Sequence, residues 1–151
     1  VVVEHSSSPA VGERAPVVHT PTEDVVANLD EIDTRDPHDT LHDVDLADVA
    51  GRKPVVLLYA TPSLCVSRVC GPVVDVAEQV KSELGDEAAF IHSEVYRDND
   101  PNAGILPQLR EYGLETEPWL FVLDAEGRRA AGLDHERAGE LVAVAEPDGD
   151  A

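Results

Sequence analysis

The sequence predicts an α/β domain, a central mixed sheet with parallel strands first and an antiparallel hairpin last, flanked by helices. Three observations predict it. A continuous apolar run, VVLLYA at 55–60, has strand length and the character of a strand buried on both faces. Valines at 69, 73, 76 and 80 recur at threes and fours, a helical period. WLFVL at 119–123 runs into Asp124-Ala125-Glu126-Gly127, a hairpin signal. Strand, helix, strand, helix, hairpin and helix follow in that order, with no internal repeat.

Each element has a local cause. Residues 1–40 are rich in Ser, Pro, Thr, Asp and Glu and carry no periodicity, so an extended or partly disordered lead-in is expected. Asp45 can cap a short helix through Leu46, Ala47 and Val49, ended by Gly51 and Pro54. After the strand 55–60, Thr61-Pro62-Ser63 breaks the run. A helix is expected from Cys65 to about Leu84, kinked by Pro72 and closed by Gly85. Ala88–Tyr96 reads as a second strand, DNDPNAG as a loop, and Ile105–Tyr112 as a helix stopped by Gly113. The hairpin returns through Arg128–Ala131, a last amphipathic helix spans about His135–Ala145, and residues 147–151 form an acidic tail. The domain proper is therefore expected over 41–146.

At 151 residues and 42% hydrophobic content, the chain can build one ordinary core. No run of 18 apolar residues is present to span a membrane. The opening VVVEHSSSPAVGERAP reads as a tether left after an upstream segment was removed. Eleven basic against 31 acidic residues leave a net charge of −20, which repels phosphate backbones and anionic lipid and argues against both as partners. Solubility in high salt or a GC-rich coding bias accounts for the acidity; a cationic partner is the other reading.

Two cysteines, Cys65 and Cys70, are too few for a disulfide scaffold or a four-thiolate zinc site. At the end of a strand and the first turn of a helix, unpaired N–H groups and the helix dipole favour a thiolate at Cys65. Arg68 adds a positive charge. In a regular helix five residues separate the two Cα atoms by about 7.5 Å, beyond the usual disulfide limit near 7 Å, and turn the side chains about 140° apart. Pairing would need the first turns to unwind. Redox exchange, soft-metal binding and burial as inert thiols are all readings of such a pair.

The VGERAP segment resembles the G-x-x-A-P opening of the peroxiredoxin and extracytoplasmic thiol-disulfide oxidoreductase branches of the thioredoxin superfamily. Lys53-Pro54 with VVLLYATP resembles their strand leading to the active-site loop, and YGLETEPWLFVLDAEG the segment holding the superfamily's cis-proline, placed at Pro118. The likeness covers roughly residues 11–145. It is also similar to an uncharacterised actinobacterial group with a TP-x-x-C-x-x-x-x-CGPV core.

The resemblance implies a thioredoxin fold and thiol-disulfide chemistry, with Cys65 as nucleophile and Cys70 as resolving thiol. Arg68 stands where a thioredoxin has its second cysteine, and CGPV at 70–73 lacks the second cysteine of CGPC. Pro118, with Glu117 and Trp119 beside it, would shape a groove for a thiol or disulfide-bearing protein or small thiol. Thioredoxin's buried Asp falls at Leu57, so Glu94 becomes the possible proton relay. His92, Glu94 and Tyr96 share one face by alternation and, if buried, need partners. No cofactor and no metal ligand set is expected, and the other histidines, His5, His19, His38, His42 and His135, read as solvated.

Alternatives remain open. A non-catalytic binding module or Cu(I) chaperone is one, although Sco-type copper sites use C-x-x-x-C and a His. A peroxidase is another: PrxQ-type peroxiredoxins share C-x-x-x-x-C. Here TPSLC carries one residue more than TPGC, and ETEPW lacks the peroxidatic Arg. The resemblance implies a location outside the cytoplasm, secreted or tethered by a removed N-terminal segment.

Overall fold

The structure is a computed structural model and describes residues 8–64, 70–114 and 118–133. Cys65, Arg68, Glu117, the expected last helix and the tail lie outside the described residues. Four strands form one mixed sheet: β1 Val55–Tyr59, β2 Ala89–Ser93, β3 Trp119–Leu123 and β4 Arg129–Leu133, in the order β2-β1-β3-β4. β1 runs parallel to β2, with Val55 opposite Ala89 and Tyr59 opposite Ser93. It runs antiparallel to β3, which pairs antiparallel with β4.

β1 is the apolar run read from the sequence, and it is covered on both faces as such runs require. Leu58 and Ala60 face Cys70, Val73, Val74 and Ala77 of α2, Cys70–Leu84. Those four α2 positions recur at three and four, so one stripe of the helix is buried. Within this helix Pro72 stands in the first turn, where its missing N–H leaves no helical bond unmade. The chain leaves α2 through Gly85 at φ +57°, a left-handed conformation that favours glycine.

Leu57 and Tyr59 point the other way, into a cluster with Ile91, Leu109, Tyr112, Leu114, Phe121 and Leu123. The rings of Tyr59, Tyr112 and Phe121 meet at 5.0–6.3 Å between centroids. Each such side chain, fully buried, contributes about 1.5–3 kcal/mol. This face is closed by α1, Leu46–Val49, capped by the Asp45 side chain as expected, and by α3, Pro107–Glu111.

β2 is shorter than the expected 88–96. It ends at Ser93, and Tyr96 instead bridges Ile105 and packs with the Ile91–Val95 side of the core. The expected common face of His92, Glu94 and Tyr96 therefore stops at Glu94, because the two-residue alternation lasts only as long as the strand.

From residue 8 to 40 the chain holds one helical turn, Leu29–Glu31, closed by reciprocal bonds between Asn28 and Glu31. The rest is irregular, with turns at 11–12 and 23–25, and runs against the sheet and α2. Gly12 N–H donates to Arg129 O, Arg129 N–H to Glu13 O, and Ala15 N–H to Gly127 O, at 2.7–3.0 Å. Ala15 and Val18 enter the core, and Tyr112 Oη donates to Pro16 O at 2.8 Å. Among the described residues, no helix is long and apolar enough to cross a membrane.

Candidate functional site

β1 delivers the chain to Ala60 and a turn at Thr61–Leu64, after which come Cys65 and Arg68 of the sequence reading, outside the described residues. Cys70 is described. It opens α2, is 1% exposed, packs among Leu58, Ala60, Val73 and Phe90, and is disulfide-bonded. The sequence holds one other cysteine, Cys65.

The turn before Cys65 is tied down by Thr34. Ser63 N–H donates to Thr34 Oγ1 at 3.1 Å and Ser63 Oγ to Thr34 O at 2.5 Å. Thr34 in turn donates to Glu94 Oε1 from its backbone N at 2.6 Å and from Oγ1 at 2.8 Å. Glu94 is 4% exposed, and its Oε2 has no hydrogen-bond partner. Burial pushes its carboxyl above the ordinary glutamate range, against the opposing pull of His92 and the Thr34 donors. A cleft of ≈ 500 Å³ lined by Glu94, Ser93, Ile32, Tyr96 and Leu106 opens beside it.

Pro118 is buried at the start of β3; its bond to Glu117 lies outside the described residues. Trp119 is half-buried and stacks on Phe121, centroids 5.6 Å apart and planes 10° off parallel. Among the described residues the cis peptide bond is at Asp36–Pro37.

Beside this region lies a cluster that the sequence reading did not assemble. Asp33 and Asp39 come from the lead-in, His42 from the stretch just after it and His92 from β2, and all four are buried. His92 Nδ1 lies 2.7 Å from Asp39 Oδ2, and its Nε2 lies 2.8 Å from the carbonyl of Ala60. His42 Nε2 lies 3.0 Å from Asp39 Oδ1 and 3.2 Å from Asp33 Oδ2, in neither case with hydrogen-bond geometry. His42 was expected to be solvated. It is 1% exposed, because the residues around it fold back on β2 rather than trail from it.

Burial opposes charge on both rings, but the carboxylates outweigh it. Contacts with Asp33 and Asp39 lift His42 to about 9, and contact with Asp39 raises His92. Burial likewise opposes charge on Asp39, yet the two imidazoles hold it well below the usual carboxylate range. Two local signals existed, Asp39-x-x-His42 and His92 in a strand whose burial would demand a partner; Asp33 carried none.

No family model matches the chain, and no curated protein matches it. Solved structures do. The solution structure of a candidate protein disulfide isomerase from Bacteroides thetaiotaomicron aligns over 91% of this chain and 88% of that one, with TM-score 0.55 and 16% identity. The crystal structure of a candidate thiol:disulfide interchange protein DsbE from Chlorobium tepidum aligns over 91% and 98%, with TM-score 0.48 and 19% identity. The first likeness is one of fold, and with the mixed sheet flanked by helices it makes the fold thioredoxin-like.

Proposed function

On this thioredoxin-like fold, we propose that the chain is a thiol-disulfide redox protein, with Cys65 as nucleophile and Cys70 as resolving thiol. The observation that carries the reading is the disulfide-bonded state of Cys70 at the head of α2, in a chain with one other cysteine. In the reducing direction the Cys65 thiolate attacks a substrate disulfide. The S–S bond breaks, the leaving sulfur takes a proton, and a mixed disulfide remains. Cys70, as thiolate, then attacks the Cys65 sulfur, frees the second substrate thiol and leaves the pair oxidised. Two electrons have passed to the substrate. The reverse sequence oxidises a substrate dithiol.

The neighbours have roles in this scheme. Arg68 favours the Cys65 thiolate by its charge. Pro118, Glu117 and Trp119 wall the groove in which a thiol or disulfide-bearing protein, or a small thiol, lies against the pair. Glu94 accepts the Cys70 proton; its supports are its burial and its tie through Thr34 to the turn before Cys65. The exchange itself needs no cofactor. A resting disulfide suits an oxidising compartment, so we place the chain outside the cytoplasm.

Thiol titration tests the reading. The oxidised chain should show no free thiol under denaturing conditions, and two after treatment with reduced thioredoxin or glutathione. Cys70→Ser, having lost its resolving sulfur, should accumulate a mixed disulfide through Cys65 with a disulfide-bearing protein. Two thiols that stay free after mild oxidant, or a Cys70→Ser variant that captures nothing, would overturn it.

A further inference from the structure

We propose that Asp33, Asp39, His42 and His92 form a binding site for one divalent transition-metal cation, zinc(II) being the ion the donors fit. One ligand atom from each of the four lies within 4.8 Å of the others. Asp33 and Asp39 are carboxylates with fully buried side chains, and burying two negative charges is costly without neutralisation. Two protonated imidazoles balance them when no ion is bound, and a dication with two neutral imidazoles balances them equally, with release of two protons. Borderline-soft zinc accepts both donor types, and four protein ligands with no open position describe a structural site.

The two histidines supply independent support. At His92 the Ala60 carbonyl can only accept, so Nε2 carries a proton; loss of the Nδ1 proton, which faces Asp39 when no ion is bound, would turn the Nδ1 lone pair toward an ion. A metal-bound histidine commonly has this arrangement, one nitrogen on the ion and the other N–H held by a carbonyl. At His42, Nε2 sits between both carboxylates at 3.0 and 3.2 Å without good hydrogen-bond alignment to either, and the ring is 1% exposed. An ion among these atoms, with bonds of about 2.0–2.1 Å, sets tetrahedral ligand atoms about 3.3 Å apart. The histidine–carboxylate contacts, 2.7–4.0 Å, run to both oxygens of each carboxylate, and one ligand atom from each residue lies within 4.8 Å of the rest, so small side-chain rotations would bring four atoms to that spacing.

The carboxylates are themselves oriented. Asp33 accepts from the backbone N–H groups of Arg35 at 2.9 Å and Asp39 at 2.8 Å, and Asp39 accepts from Leu41 at 3.0 Å. Such outer contacts fix ligands before an ion arrives. Three ligands come from ten residues of irregular chain and the fourth from β2. The ion would therefore staple that segment to the sheet, independently of the cysteine chemistry.

The test uses the full chain as Cys65→Ser/Cys70→Ser, so that thiolates cannot hold the metal. It is treated with chelator, dialysed, and titrated with zinc(II). We expect one zinc per chain by elemental analysis and a rise in Tm that saturates at one equivalent. The ring ¹⁵N shifts of His42 and His92 should move together. His42→Gln should weaken binding by about tenfold or more; should it fail to fold, the two ¹⁵N shifts on the His-intact chain decide the matter. Failure to retain zinc overturns the site and identifies the four groups as a proton-bearing ion quartet. Zinc bound without movement of those two rings overturns it as well.

Discussion

The β1–α2–β2 unit and the segment 29–43 meet at His92, and they are held by different forces. The first is apolar: Leu58, Ala60, Val73, Val74 and Phe90 bury carbon against carbon, so a small misfit is spread over many weak contacts. The second buries two apolar side chains, Ile32 and Leu41, the latter against α2 and β2. It is otherwise tied by charge and hydrogen bonds. Arg35 reaches Asp75 at 2.7 Å, Thr40 pairs with Glu78, Lys81 Nζ donates to Thr40 O at 2.7 Å, and the Asp–His cluster sits beneath. Apolar packing degrades gradually. A buried polar cluster does not, because removing one member strands the others without solvent or partner.

Three measurements bear on that contrast. The largest effect is expected in the sheet: Phe121→Ala opens a cavity among Tyr59, Tyr112 and Trp119 and should cost about 3–5 kcal/mol in denaturant unfolding. Asp39→Ala should come next, at about 3 kcal/mol. It removes the acceptor of Leu41 N–H and the shared carboxylate of His42 and His92. It should also speed amide exchange across 29–43 while β1 and β3 stay protected. If Asp39→Ala costs no more than a surface substitution, the segment is merely draped on the domain and the contrast fails.

The same contrast explains what could be read from the sequence. β1 at 55–59, β3 at 119–123 and the capped turn at 46–49 were legible, because each is written in local apolar spacing or a cap. The helical period of α2 was legible too, but its buried stripe is Cys70, Val73, Val74 and Ala77 rather than the valine series 69, 73, 76 and 80, of which Val76 and Val80 are half-buried. The strand 89–93 was overextended: the apolar pattern runs on to Val95, although pairing with β1 ends at Ser93. The Asp–His cluster was illegible for a physical reason. His92 and Asp39 are 53 residues apart, and polar residues in an acidic stretch look solvated until a partner is placed. Periodicity reports where carbon is buried and is silent about charge that finds its counter-charge across the fold. At the cysteine site the spacing supplied the candidates, but a helical rise alone could not say whether the pair closes.

The smallest effect concerns a polar tie in the same lead-in that stays in water. His19 Nδ1 meets Asp45 Oδ2 at 2.8 Å with the His19 side chain 87% exposed, while Asp45 also accepts from Thr20 N–H and caps α1 at Ala47. The hydrogen bond and charge of Asp45 raise the His19 pKa above 6.5. A raised folded-state pKa adds stability that is complete below the unfolded value and fades as pH climbs through the folded one. His19→Gln should therefore be slightly less stable than the parent at pH 5.5 and indistinguishable from it at high pH, by paired urea titrations. Salt should shrink even the acid-side difference, since both partners are screened. A His19→Gln deficit that persists at high pH would mean that His19 acts through shape rather than charge. The line between buried and solvated polar ties would then need redrawing.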